Sequence, residues 1–322
     1  MNLSEMAWGI TLWFDLWAVG IASASFMAAF LINKLSGGTQ RNLFRLAVYS
    51  GIVFALIGVT LLLSHLGHIL WFWHMFVIVR PESVLSLGGW VLSGWLTVAG
   101  VTAVLWIAKY FCNYIKSEGN KSVLLKLADK LTGILSWVGL VFSILLITYG
   151  GVLIATTSQP LWANTLLLPS LFIGSAMCTG LSWLILASFI ANWATGMRWL
   201  GGILKILFGS ADWKIDSETI NKLARTLIIT LAVTLIILIA FVLWLYGAAP
   251  DAVSVLVSGE MAGYFWAGLV GFGLVLPFLM LLLTWKRRAN NFSTKALVIA
   301  SSFMAFAGGL ILRAVILIGG QL

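Results

Sequence analysis

Four kinds of proton-handling side chain stand in stretches that are otherwise apolar. His65, His68 and His74 are the chain's three histidines, and they close one such stretch. Asp15, Tyr149 and Arg313 stand in three others. Titratable and charged groups inside lipid are costly, so each marks a functional hypothesis by default. An acid and an imidazole exchange protons, and a phenol donates a hydrogen bond to a carbonyl. Each also has a structural reading. A membrane histidine can satisfy itself on a backbone carbonyl, a tyrosine can pack, and an arginine can pair with an acid or reach toward the headgroups. Asp15 has the weakest structural reading, because a buried acid needs a partner or a proton. His74 and Glu82 read as solvated residues of the interface.

These groups need helices to hold them in lipid. The chain is 61% hydrophobic and 9% charged, where a soluble domain carries roughly 25% charged residues. Apolar runs long enough to span a bilayer are expected at about 7–32, 46–73, 87–111, 132–157, 164–192, 226–247, 262–285 and 296–319. The expected fold is an all-α integral membrane protein, one polytopic domain over 1–322, with spans 1–4 and 5–8 forming two four-helix bundles. The first span follows Glu5 without a preceding Lys or Arg, so it reads as a retained helix, not a cleaved signal. Cys112 and Cys178 stand far apart and suggest neither a disulfide framework nor a metal site.

Orientation follows from the cations. Of the 19 Lys and Arg, all but Arg80 and Arg313 fall in or beside the loops between spans 1–2, 3–4, 5–6 and 7–8. The positive-inside rule makes those loops cytoplasmic and sends both termini to the periplasmic or outer side. The net charge of +9 therefore reports topology, and no nucleic-acid partner is expected. Pro81, Pro160 and Pro250 fall in the outer loops, and Pro277 should kink span 7. Trp8, Trp71, Trp73 and Trp162 read as an outer interfacial belt. In the longest inner loop, Asp216-Ser217-Glu218-Thr219 should cap a short helix running into span 6.

With a rise of about 1.5 Å per residue, Asp15, His65 and Tyr149 all come out roughly 10 Å below the outer edge. Arg313, on a long side chain, reaches the same level. Asp15 shares its helical face with Ala18, Ala22, Ser25 and Ala29, small residues that permit close packing. Gly51, Gly58 and His65 make a row on span 2, and Ser302, Gly309 and Arg313 make one on span 8. The polar groups should thus face the bundle interior, in the outer half of the membrane.

A quinone fits such a layer. Its carbonyls want donors, its ring and tail want an apolar slot open to lipid, and its redox cycle moves two protons with two electrons. A haem held between two histidines needs them on facing helices, whereas all three here crowd one helix and its end. No cysteine cluster offers an iron–sulfur site. Electrons must then come from a centre on a partner, docked on the outer face. Two rivals stay open: a secondary transporter or proton-translocating module without redox chemistry, and a cytochrome b-like anchor.

Several short motifs run in a telling order. They are His65-Leu66-Gly67, Pro81-Glu82-Ser83 with Ser86-x-Gly88-x-Trp90, and Thr148-Tyr149-Gly150-Gly151-Val152-Leu153. Gln159-Pro160-Leu161-Trp162-Ala163-Asn164-Thr165, Leu168-Pro169-Ser170-Leu171-Phe172 and Gly308-Gly309-Leu310-x-x-Arg313 with Gly320-Gln321 follow. Over nearly the whole length this pattern resembles the polysulfide reductase membrane-subunit family, the NrfD/PsrC type to which dimethyl sulfoxide reductase anchors are related. The resemblance implies an eight-helix, haem-free subunit in the cytoplasmic (inner) membrane of a bacterium or archaeon, reacting with menaquinone or ubiquinone. It implies a ferredoxin-like iron–sulfur partner and often a molybdopterin catalytic subunit. By position, Tyr149 resembles the family's quinone-pocket tyrosine and His65 the histidine used with quinol in the dimethyl sulfoxide reductase anchors. Asp15 stands where the polysulfide reductase subunit has a histidine, so either contact with the quinone or a proton relay is open to it. Asp15 and His65 are the expected proton-transfer pair. Tyr149, His65, Asp15, Arg313 and His68 are the expected pocket.

Overall fold

The computed structural model describes residues 9–64, 73–74, 82–114, 121–157, 159–163, 165–195, 201–202, 206–209, 214–285 and 292–322. Helices account for nearly all of them: α1 (Ile10–Leu35), α2 (Arg41–Ser64), α3 (Val84–Tyr114), α4 (Lys121–Ala155), α5 (Leu167–Ala194), α6 (Ser217–Ala248), the short α7 (Pro250–Val257), α8 (Leu276–Thr284) and α9 (Phe292–Gly319). A π-helical segment, Tyr264–Val275, runs directly into α8. Eight helical stretches are long and apolar enough to cross a membrane, with the π-helix and α8 together making the seventh. This is a multi-pass membrane protein. The eight match the expected spans, although several begin earlier; α2, for example, starts at Arg41. Residues 65–72 of the expected second span lie outside the described residues.

The packing divides into two halves of the same design. In the first half α1 packs on α2 and α4, and α3 packs on α4 and α2. In the second, α5 packs on α6 and α9, while the seventh span packs on α9 and α6. The halves meet mainly where α1 touches α5 and α9, and where α4 touches α5. Accordingly α1, α5 and α9 are the enclosed spans, with 78, 61 and 56% of their apolar windows buried. The others present Leu, Ile and Val outward, as at Val104, Ile236 and Leu283.

Small residues set these contacts. Ala18, Ala22, Ser25 and Ala29 are all buried on α1. A Cβ at Gly180 of α5 would stand 2.7 Å from both Ala24 Cβ and Ser25 N on α1, so only glycine lets the two central helices approach this far. Aromatic rings lock the same joint: Trp17, Phe54, Trp183 and Phe306 come from α1, α2, α5 and α9 and pack edge to face or tilted.

Three local expectations change. Trp162 is no belt residue: it is fully buried and its Nε1–H donates to the Ile316 carbonyl at 2.8 Å, tying the turn after α4 to α9. A buried indole needs an acceptor, and the last turns of α9 supply it. Pro277 sits at the change from π-helical to α-helical backbone, where its missing N–H and its ring would disturb a regular ladder. Asp216 does stand at an N-cap in extended conformation, but it makes no side-chain capping bond, and the helix it begins is α6 itself.

Candidate functional site

Asp15 lies on the second turn of α1 and is 6% exposed. Its Oδ1 is buried and has no hydrogen-bond partner among the described residues. Tyr149 lies on α4, six residues before that helix ends, and is half-buried. The two side chains line one crevice, with Leu16 and Val19 of α1, Leu62 of α2, Gly88 and Leu92 of α3, and Leu146 of α4. All four helices of the first half therefore contribute a wall. The crevice is narrow, about 10 Å³, roughly the room of one water molecule.

Two glycines make room for the two polar groups. A Cβ at Gly58 would stand 2.9 Å from Asp15 Oδ1 and 2.6 Å from Val19 Cγ2. A Cβ at Gly88 would stand 2.1 Å from Tyr149 Cζ and 2.6 Å from its hydroxyl. The phenol thus lies flat against bare backbone of α3, and the carboxyl against bare backbone of α2. A buried acceptor left open costs about 1–3 kcal/mol. An occupant carrying a hydrogen-bond donor would relieve it. The leucines supply an apolar lining and no competing polar group.

The family model described as "Polysulphide reductase, NrfD" matches residues 2–322. The chain belongs to this family. It is similar to Protein NrfD of Escherichia coli, 24% identical over 336 residues, covering 100% of this chain and 97% of that one. It is likewise similar to a Protein NrfD homolog of Haemophilus influenzae, 25% identical over 99% of this chain and 95% of the relative. The C subunit of polysulfide reductase from Wolinella succinogenes is 26% identical over 95% of this chain and 92% of its own length. As a member of the NrfD family, the chain is consistent with a membrane subunit of a respiratory oxidoreductase.

Of the residues expected in the NrfD pocket, Asp15 and Tyr149 come together. Arg313 does not line the crevice. It is fully buried between α9, α5 and α1. Its Nη1 donates to Ser175 Oγ at 3.2 Å and to the Gly309 carbonyl at 2.6 Å. Its Cζ lies 5.7 Å from the centre of the Phe172 ring, and a Cβ at Gly20 would stand 2.8 Å from Nη2. No ion pair joins it to Asp15 among the described residues. His65 and His68 lie outside the described residues.

The roles of Gly88, Leu62, Leu92 and Leu146 escaped the sequence reading. Gly58 and Gly88 were both visible in motifs, one in a heptad row and one in a loop signature. Nothing local says which polar side chain a glycine faces on another helix.

Proposed function

We propose that the crevice between Asp15 and Tyr149 is the head-group end of a quinone/quinol site. On this reading the chain is the quinone-reactive subunit of a multi-subunit oxidoreductase. The observation that carries it is the orphaned carboxyl oxygen of Asp15 beside a phenol, in a leucine-lined crevice that two glycines hold open for them. A quinol hydroxyl would give Asp15 Oδ1 the donor it lacks, and a quinone carbonyl would accept from the Tyr149 hydroxyl. When bound, the quinone would supply two-electron, two-proton redox chemistry.

The chain's own residues have three tasks. Tyr149, pinned against Gly88, fixes the position of one ring oxygen. Asp15, on the most enclosed helix, takes or returns a proton at the other. His65, three positions beyond Leu62 in the sequence, is assigned to the same proton traffic, and His68 to the rim. Leu62 and Leu92 must rotate aside to admit a ring, since the crevice is too narrow otherwise. Arg313 is assigned to holding α1, α5 and α9 together.

The partner follows from the chemistry. A subunit with no electron carrier of its own needs one docked near the crevice, on the side away from the basic loops. An iron–sulfur protein of ferredoxin type fits this, with a molybdopterin subunit beyond it, and the subunit name of the Wolinella relative agrees with such an assembly. By the positive-inside rule that side is the periplasm, and the membrane is the bacterial or archaeal inner membrane.

Asp15→Asn and Tyr149→Phe test the reading in the intact complex. Asp15→Asn keeps the shape and should lower quinol-linked turnover by about a hundredfold or more. Tyr149→Phe should raise the quinol KM by roughly tenfold, the worth of one hydrogen bond. Assembly should be normal in both. Wild-type quinol kinetics in both variants would remove the crevice from the mechanism.

A further inference from the structure

The four helices that form the crevice also frame a larger cavity at their opposite ends. It lies between the end of α1, the start of α2, the end of α3 and the start of α4, with a volume of about 620 Å³. Along α1, Asn33 is 18 residues from Asp15, so the two openings are about 27 Å apart. This cavity is basic and belongs to neither the crevice nor the proposed quinone chemistry.

Four cations line it: Lys34, Arg41, Arg45 and Lys109. Only Lys109 has a carboxylate, Asp129, at 2.5 Å. Lys34, Arg41 and Arg45 have no carboxylate partner among the described residues. The cations are held in place. Lys34 Nζ lies 5.6 Å from the centre of the Trp137 ring and 5.8 Å from that of Phe30. Arg45 stands over Trp106 and donates to the Phe208 carbonyl. Gly37 and Gly38 have φ of 65° and 82°, and this left-handed turn brings Arg41 of α2 back beside Lys34 of α1. Three uncompensated positive charges converge on one hollow that is large enough for a small organic molecule.

We propose that this cavity binds the phosphate of an anionic phospholipid, with phosphatidylglycerol as the committed headgroup. The cations recognise the phosphate, as basic pockets between membrane helices do. Two observations favour a lipid over a free anion. The outward faces beside the cavity are apolar, with Leu35, Phe111, Ile134 and Trp137 all well exposed, so acyl chains have a surface to follow. Asn33 Oδ1 is buried at the cavity without a partner among the described residues, and a glycerol hydroxyl supplies the donor that inorganic phosphate at full ionisation lacks.

The test uses the full-length protein in phosphatidylcholine nanodiscs, with and without phosphatidylglycerol. Phosphatidylglycerol should raise the melting temperature of the wild type, and the Lys34→Gln/Arg41→Gln double variant should lose that rise and retain roughly tenfold less of the lipid. Asp129→Asn, which frees Lys109, should retain more than the wild type. Lys222→Gln, at the exposed Glu218 pair of α6, should behave as wild type. The single variants serve if the double one does not fold. Undiminished retention without Lys34 and Arg41 overturns the proposal. So does an equal rise from inorganic phosphate in phosphatidylcholine alone.

Discussion

At the scale of single residues, the site depends as much on what is missing as on what is present. Tyr149 rests against Gly88 with no space for one more carbon. Gly88→Ala carries no chemistry, yet it should displace the phenol and impair quinol oxidation about as much as Tyr149→Phe does, roughly tenfold; steady-state kinetics of the assembled complex would check this. Arg313 tests the opposite case. Its guanidinium bonds Ser175 and the α9 backbone, and a lysine cannot reproduce that fork. Arg313→Lys should lower the melting temperature while leaving the quinol KM unchanged. A changed KM would place Arg313 back among the quinone contacts. The polar residue types were legible in the sequence because lipid makes them conspicuous. Their partners were not. Depth along a helix grouped Asp15, Tyr149 and Arg313, but depth says nothing about azimuth, and Arg313 points into the joint between the halves.

At the scale of elements, helix number and span were legible from apolar length alone, and the buried face of α1 from its small residues. The π-helical seventh span was not. Pro277 announced a disturbance, but its form depends on α9: Gly273 and Gly308 bring two backbones together, and a Cβ at Gly308 would stand 2.4 Å from Gly273 Cα. Gly308→Val should therefore force the seventh span off α9 and destabilise the protein by about 1–3 kcal/mol, read as a lower thermal midpoint in detergent. Trp162 taught the same lesson. Its place in a loop beside Pro160 suggested an interface, whereas its ring fills a gap against Gly320 at the end of α9.

At the scale of the molecule, two similarly packed halves share a seam of glycine, alanine and stacked rings, with the candidate site confined to the first half. Orientation carries the proposal for the partner, and it can be measured directly. A cysteine placed at exposed Thr39, in the α1–α2 turn, should resist a membrane-impermeant maleimide in intact cells, and one at exposed Ser258, after α7, should react. The reverse labelling would put the crevice on the cytoplasmic side. The enclosure of α1 has a consequence for biosynthesis. The ribosome delivers this helix first, but the helices it packs on, α2, α4, α5 and α9, all emerge later. Until then its carboxyl group and its alanine face have only lipid or the insertion machinery for company. Maturation of this subunit thus waits on its final helix, and a polypeptide truncated before α9 would leave its earliest segment stranded.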